Sequence, residues 1–342
     1  MTIWTSGFRR ALGATVAGLS IAVLAVAGWG WWWTQRPLPL NRPTVELSVE
    51  PGVSPREVAQ RWVDAGVDTP AWLLYQWFRV SGQARKIRAG TYAADGQTSP
   101  RSLLDKMVQG DESLESVRII EGWTFRQVRA ELARSPSLKA TTTGWSEPQI
   151  MTALGLEGQS AEGRFFPDTY RFSRGVSDLA VLRRAATAMQ RKLEVAWQDR
   201  AASSPLKSPS EALILASIVE KETGQAADRP LIAGVFSNRL RLGMPLQTDP
   251  TVIYGLGDAF DGNLRKRDLL MDTPFNTYTR RGLPPTPIAM PGWASLQAAV
   301  RPAATQALYF VARGDGSSAF SATLDDHNRA VNRFQRKISK GP

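Results

Sequence analysis

The sequence contains no cysteine and only one histidine, His327, among 342 residues. Without thiols there is no disulfide framework, no cysteine nucleophile and no thiolate metal site. A single imidazole also excludes a zinc site with two histidine ligands. A histidine-dependent triad would have to use His327, and no G-x-S-x-G elbow accompanies it. Neither a metal nor a cofactor is therefore expected. Acidic residues are scarce as well: 31 Asp and Glu face 42 Lys and Arg, for a formal net charge of +11. Such an excess favours anionic partners, whether nucleic acid, anionic lipid or an acidic polymer. RNP-type, zinc-finger and helix-turn-helix signatures are missing, so nucleic acid is not expected.

The run over residues 11–33 carries no charge, with Thr15 and Ser20 as its hydroxyl side chains. As a helix it would exceed the roughly 30 Å hydrocarbon core of a bilayer. Arg9 and Arg10 precede it, and Trp29, Trp31, Trp32 and Trp33 close it where an interfacial aromatic belt would sit. This predicts a cytoplasmic tail over 1–10, a single transmembrane helix over 11–33, and the remaining chain beyond the cytoplasmic membrane. The competing reading is a cleaved signal peptide, because Ala25-Val26-Ala27 fits a cleavage site. The apolar run continues past that site, which favours an anchor.

Three prolines in "TQRPLPLNRP" predict a stiff spacer over 34–43. Val45, Leu47 and Val49 then alternate as in a strand, and Ser54, Pro55 and Glu57 read as the start of a helix. The same grammar returns in "SVRIIEGWTFRQVRAEL", where Gly122 takes the place of Gly52 and Thr124 that of Ser54. Two related strand-turn-helix units are expected, with another strand and helix between them. A long amphipathic helix is expected over 178–197. The fold class is α+β throughout, with modules over 44–134 and 135–338.

One segment of the second module concentrates hydrocarbon and acid. "SPSEALILASIVEKETG" has Ser208 as N-cap, Pro209 at the first helical position and Gly224 as a plausible stop. Glu220 shares a face with Leu213, Ala216 and Ser217. Glu222 lies roughly 200° around the helix, so the two acids do not form an obvious dyad. A carboxyl among apolar neighbours, with no fixed cation, stays protonated and can serve as a general acid. A helix-end acid pointing into water is the alternative, and spacing alone leaves both open. Downstream, "FSNRLRLGMPLQTDPTVIYGLG" brings Asn238, Arg239, Gln247, Thr248, Asp249 and Tyr254. "DTPFNTYTRRGLPPTPIAMPG" adds Asn276, Thr277 and Tyr278. Amides, hydroxyls and rings on proline-braced loops suit a neutral sugar. Each of these residues also fits ordinary turn chemistry.

"LASIVEKET", "NRL", "LQTDPTVIYG", "NTYT" and "GLPPTPIAMPG", with "EGRFFPDTY" upstream and His327-Asn328 downstream, resemble the endolytic murein transglycosylases of the MltG/YceG group. The resemblance implies a bitopic inner-membrane protein with a LysM-like α+β module over 44–134. It implies a mixed α+β catalytic domain over 135–338 that cuts peptidoglycan glycan strands internally, between MurNAc and GlcNAc. Carried over, the first Glu of "VEKET", Glu220, is the catalytic acid. Beyond what the resemblance implies, Glu222 and Asp249 are expected to orient the site or stabilise positive charge, and Gln247, Asn276 and Tyr278 to hold sugar. Peptidoglycan synthases are expected as partners at the level of the family. In such a mechanism one carboxyl protonates the bridging oxygen. It then takes the proton of the MurNAc C6 hydroxyl as that oxygen closes on C1, leaving a 1,6-anhydro end. A membrane-anchored scaffold that binds glycan without turnover, and a hydrolytic muramidase, are the competing readings.

Overall fold

The computed structural model describes residues 4–335, and their side chains from residue 19 onward. Residues 1–3 of the expected tail, the side chains of Arg9 and Arg10, and 336–338 of the expected catalytic domain lie outside that description. The chain is α+β and divides into two compact units, residues 1–115 and 116–342.

The first unit opens with a helix, α1 (Trp4–Gln35), followed by β1 (Thr44–Val49), α2 (Pro55–Ala65), α3 (Ala71–Val80), β2 (Gly90–Asp95) and α4 (Pro100–Gln109). Among the described residues no helix is long and apolar enough to cross a membrane. The expected span 11–33 falls partly outside them, since its side chains are described only from 19. Strands β1 and β2 pair antiparallel from Thr44↔Asp95 to Val49↔Gly90. Their alternation puts Val45, Val49, Tyr92 and Ala94 into a core with Trp62, Leu74, Phe78 and Leu103. The expected stiff segment over 34–43 is tied by its backbone to the rest of the first unit. Leu38 N–H donates to Thr98, Asn41 N–H to Gly66, and Pro39 accepts from Asp68, because a backbone lying on a core must find partners for its polar groups.

The second unit runs β3 (Glu115–Arg118), α5 (Phe125–Arg134), α6 (Glu147–Leu154), β4 (Thr169–Phe172), α7 (Asp178–Gln198), α8 (Pro209–Glu222), α9 (Arg229–Arg241), α10 (Asp249–Leu256), α11 (Lys266–Leu270), α12 (Trp293–Val300), β5 (Tyr309–Ala312), β6 (Ser318–Ser321) and α13 (Leu324–Phe334). Its sheets are two-stranded, β3 with β4 and β5 with β6. The division at residue 115 falls before the sequence-derived boundary at 134. The side chains of α5 explain this: Val128 and Leu132 pack with Ile150, Phe165, Val181 and Leu182 in one core. The expected repeat is present, with Gly52 and Gly122 at φ 86° and 76° and with Ser54 and Thr124 capping α2 and α5.

Helix α8 is central. All eight residues 212–219 are buried, among them the large side chains Leu213, Ile214, Leu215, Ile218 and Val219. Each such side chain contributes roughly 1.5–3 kcal/mol. A helix apolar all round must be enclosed, and α7, α9, α10 and α12 pack against α8. Ser217 is the exception that fastens it. Its hydroxyl donates to Ile214 O (2.7 Å) and accepts from Ile288 N–H (3.0 Å), tying α8 to the proline-rich loop before α12. Helix α8 ends at Glu222, with an extended Thr223 as C-cap and Gly224 at the expected C′ position, though without the left-handed φ of a glycine cap.

Helix α9 meets the 303–305 segment with no room to spare. A Cβ on Gly234 would stand 2.7 Å from Thr305 Cγ2 and 2.8 Å from Ala303 O. Gly234→Ala is therefore predicted to destabilise the fold by about 1–3 kcal/mol through overpacking. A denaturant titration measures this; an unchanged midpoint would contradict the close approach.

Candidate functional site

Glu220 and Glu222 leave the buried helix α8 in different directions, as the helical period requires. The Glu220 side chain is 6% exposed. Its Oε2 accepts from Gly292 N–H (2.9 Å) at the start of α12, and its Oε1 lies 3.7 Å from the Arg229 guanidinium at the start of α9. The environment is dry, as expected, but it is not free of a cation. A backbone N–H and a guanidinium both complement negative charge here. The cation is Arg229, of which helical spacing gives no sign.

Glu222 meets the opposite conditions. It lines a groove of about 580 Å³ with Arg239, Gln247, Asp249, Tyr278, Tyr309 and His327. Its carboxyl accepts from the buried Thr248 hydroxyl. Burial pushes the Glu222 carboxyl up to about 7, the Thr248 hydrogen bond opposes the rise, and the negative charge of Asp249 adds to it. A carboxyl that holds its proton near neutral pH can donate it to a leaving oxygen.

Thr248 is placed by a hydroxyl cluster beneath the groove. It is the N-cap of α10 yet makes no capping hydrogen bond, because its hydroxyl serves Glu222. Its N–H donates to Thr277 Oγ1 (3.1 Å), and the hydroxyls of Thr251 and Thr277 are 2.9 Å apart. Gln247 just before it has φ 50°, the one non-glycine in the left-handed region among the described residues. Such a conformation costs roughly 1–3 kcal/mol and is held by its surroundings. Here Gln247 N–H donates to Thr277 O (3.0 Å) and its side-chain oxygen accepts from Arg239 Nη1 (3.3 Å). Asp249 accepts from the Tyr278 hydroxyl at 2.5 Å, and burial followed by that carboxylate holds the phenol above its ordinary value.

The remaining expected sugar contacts divide. Asn238 and Asn276 are buried, and their amides are spent on backbone: Asn238 on Thr305 O and Ala307 O, Asn276 on Asp268 O, Leu269 O and Met271 O. With Thr277 they hold loops in shape instead of facing a ligand. Tyr254 lines a second groove, of about 1060 Å³, beside Arg126, Arg129, Lys221 and Glu162. There its hydroxyl donates to Glu162 (3.2 Å), which also accepts from Phe125 N–H (3.0 Å) at the start of α5. Burial outweighs these bonds and raises Glu162 to about 7. Sequence reasoning gave no role to Glu162, Arg229 or Tyr309. Only "EGRFFPDTY", with an acid among aromatics, carried a signal for the first. His327 stacks on Tyr309 (centroids 5.2 Å apart), and burial followed by the charge of Arg239 holds its pKa below the ordinary value. Among the described residues no three acidic or histidine side chains converge as a metal site.

The raised carboxyls link this site to stability. Folded Glu162 and Glu222 hold protons more tightly than the unfolded chain, so the stabilisation is complete below about pH 4.5 and is lost as pH rises through about 7. Relative to a Glu162→Gln/Glu222→Gln double variant, the wild type should lose unfolding free energy between those limits. Parallel pH series of urea titrations measure this, and parallel stability curves would show that neither carboxyl is desolvated.

Comparison with known proteins places the chain among relatives over most of its length. The profile of the YceG-like family matches residues 47–333. An endolytic murein transglycosylase of Bacillus subtilis (strain 168) is 40% identical over 318 residues, covering 86% of both chains. An endolytic murein transglycosylase of Streptococcus pneumoniae (strain R6) is 27% identical over 329 residues, covering 86% of this chain and 59% of its own. The chain thus spans 59% of the length of that streptococcal relative. A crystal structure of a yceG-like protein from Listeria monocytogenes superposes with a TM-score of 0.53 at 28% identity, covering 84% of this chain and 98% of that one.

Proposed function

The chain belongs to the YceG-like family, and from that premise we propose that it is a lytic transglycosylase that cuts peptidoglycan glycan strands internally, with Glu222 as its acid and base. The observation that carries the assignment is the Glu222 carboxyl, raised to about 7 by burial and open to a groove lined by Arg239, Gln247, Asp249 and Tyr278. The sequence resemblance places the acid at Glu220, two residues away, and the paired Gln variants described below separate the two assignments. In this reading Glu220, held by Gly292 N–H and close to the Arg229 guanidinium, positions the end of α8.

In the reaction, protonated Glu222 gives its proton to the oxygen bridging MurNAc and GlcNAc as the bond to MurNAc C1 breaks. The carboxylate formed, still hydrogen-bonded by Thr248, then accepts the proton of the MurNAc C6 hydroxyl as O6 bonds to C1. The leaving chain departs with a free hydroxyl, the other end closes as 1,6-anhydro-MurNAc, and Glu222 is again protonated. No water enters. The nucleophile belongs to the substrate and so acts at high effective concentration. The carboxylates of Asp249 and Glu222 supply negative potential to the oxocarbenium-like state.

The N-terminal helix would hold the enzyme at the cytoplasmic membrane, with the two units on its outer side. The support is the uncharged run 11–33 and the exposure of Leu19, Ile21, Val23, Leu24, Val26 and Trp31. The first unit, with two helices between antiparallel strands, reads as a LysM-like module that binds glycan.

Mass spectrometry of digests of purified glycan strands tests the assignment. Glu222→Gln should lower the rate of anhydro-end formation by about 10²–10⁴-fold. Glu220→Gln keeps an acceptor for Gly292 N–H but leaves Arg229 unpaired; it should cost about 1.5–3 kcal/mol of stability while retaining turnover. Abolition by Glu220→Gln with full activity in Glu222→Gln would reverse the two roles. Because the acid must be protonated, wild-type kcat/KM should fall as pH rises through about 7.

A further inference from the structure

Arg239 is a buried cation without an anion. It is 7% exposed, and among the described residues no carboxylate lies within 4.0 Å of it, whereas Arg229 has Glu220. Its Nε donates to Leu308 O (2.7 Å), and Nη1 donates to Pro245 O (3.3 Å), Leu246 O (2.9 Å) and Gln247 Oε1 (3.3 Å). The Tyr309 ring lies over the guanidinium, 5.1 Å from its carbon. These contacts fix the plane of the group, while Nη2 donates to none of the described residues. Arg239 lines the same groove as Glu222. A guanidinium held rigid, with one edge unspent and no carboxylate within 4.0 Å among the described residues, matches an incoming oxyanion better than a neutral sugar hydroxyl.

We propose that Arg239 is a carboxylate anchor that reads the acidic stem peptides carried by MurNAc, so that the groove selects peptide-bearing strands over bare glycan. The inference rests on the assignment of the groove to peptidoglycan cleavage. It identifies which part of the polymer is recognised beside the bond that breaks. The interaction is made with ground state and transition state alike, so it should appear chiefly in KM. A charge-assisted hydrogen bond of this kind corresponds to about 10- to 100-fold in affinity.

His327 provides an independent readout. It is the chain's single histidine, so its imidazole gives one titrating set of NMR signals. The groups that face it are Arg239 on α9 and Tyr309 on β5, with Glu222, Asp249 and Tyr278 across the groove. On its own helix Asp326 is paired with Arg329, and β6 brings no charge. Burial and then the charge of Arg239 hold the imidazole below its ordinary value. A carboxylate seated on Arg239 would offset that charge and raise the pKa.

Two measurements on the full chain test this. The first compares wild-type kinetics on native strands, on strands stripped of peptide by an amidase, and on strands whose carboxyls are converted to methylamides. The expected result is a KM about 10- to 100-fold higher for the last two, with kcat little changed. Equal KM on all three would overturn the anchor. The second titrates His327 in the Glu222→Gln variant with a disaccharide-peptide and with its methylamidated form. An upward shift with the free acid alone supports the anchor, and identical curves overturn it. If no strand is cleaved the enzymatic reading falls, and the His327 titration still decides the anchor. Arg239→Lys should lose discrimination between native and amidated strands. Should that variant fail to fold, having lost its ties to Leu308 and Leu246, the wild-type comparison stands alone.

Discussion

Eight successive residues of α8 are out of water, so the carboxyl groups that follow them must be accommodated by the protein. The two acids receive opposite treatments. Glu220 is given a backbone donor and a guanidinium, partners for a charge. Glu222 is given one hydroxyl and a neighbouring carboxylate, partners that leave it short of compensation. Desolvation therefore wins at Glu222, and the proton stays near neutral pH. The rest of the second unit can be read as support for that inequality. Ser217 fixes α8 to the 284–292 loop, Gly292 at its end fixes Glu220, and the threonine cluster fixes Thr248.

Much of this architecture is legible in the sequence because it depends on local chemistry. Caps at Ser54, Ser99, Thr124 and Ser208 satisfy N–H groups three residues away, so the four helix starts can be read from short windows. Both glycines of the repeated strand-turn-helix motif turn the chain where left-handed φ is needed. The charge environments of Glu220 and Glu222 are not local. Arg229 stands nine positions along the chain, but Gly292 and Thr248 arrive from α12 and α10. Helical spacing separates the two acids; it says nothing of what meets each one.

The division among the expected sugar contacts has a similar cause. An amide that would pair with a sugar is the same amide that pairs with a carbonyl, and Asn276, with three backbone acceptors, is fully engaged in the loop before Tyr278. What distinguishes the uses is whether the side chain is buried by its own chain, which only the fold decides. Residues of mixed character, Gln247, Asp249 and Tyr278, remain on the groove because the buried ones beneath them hold the loops rigid.

The two grooves of the second unit share a device. Each has one carboxyl raised to about 7 by burial, Glu222 in one and Glu162 in the other, and each carboxyl is touched by a hydroxyl, from Thr248 or from Tyr254. Their surroundings separate their roles. Glu162 also caps the start of α5 through Phe125 N–H, so moving its proton would disturb a helix terminus. Glu222 lines the open groove and is bonded by a side-chain hydroxyl alone, so its proton can pass to a bound sugar without breaking a backbone tie. The proposed acid is thus the carboxyl whose proton transfer leaves the backbone hydrogen bonds at both helix ends in place.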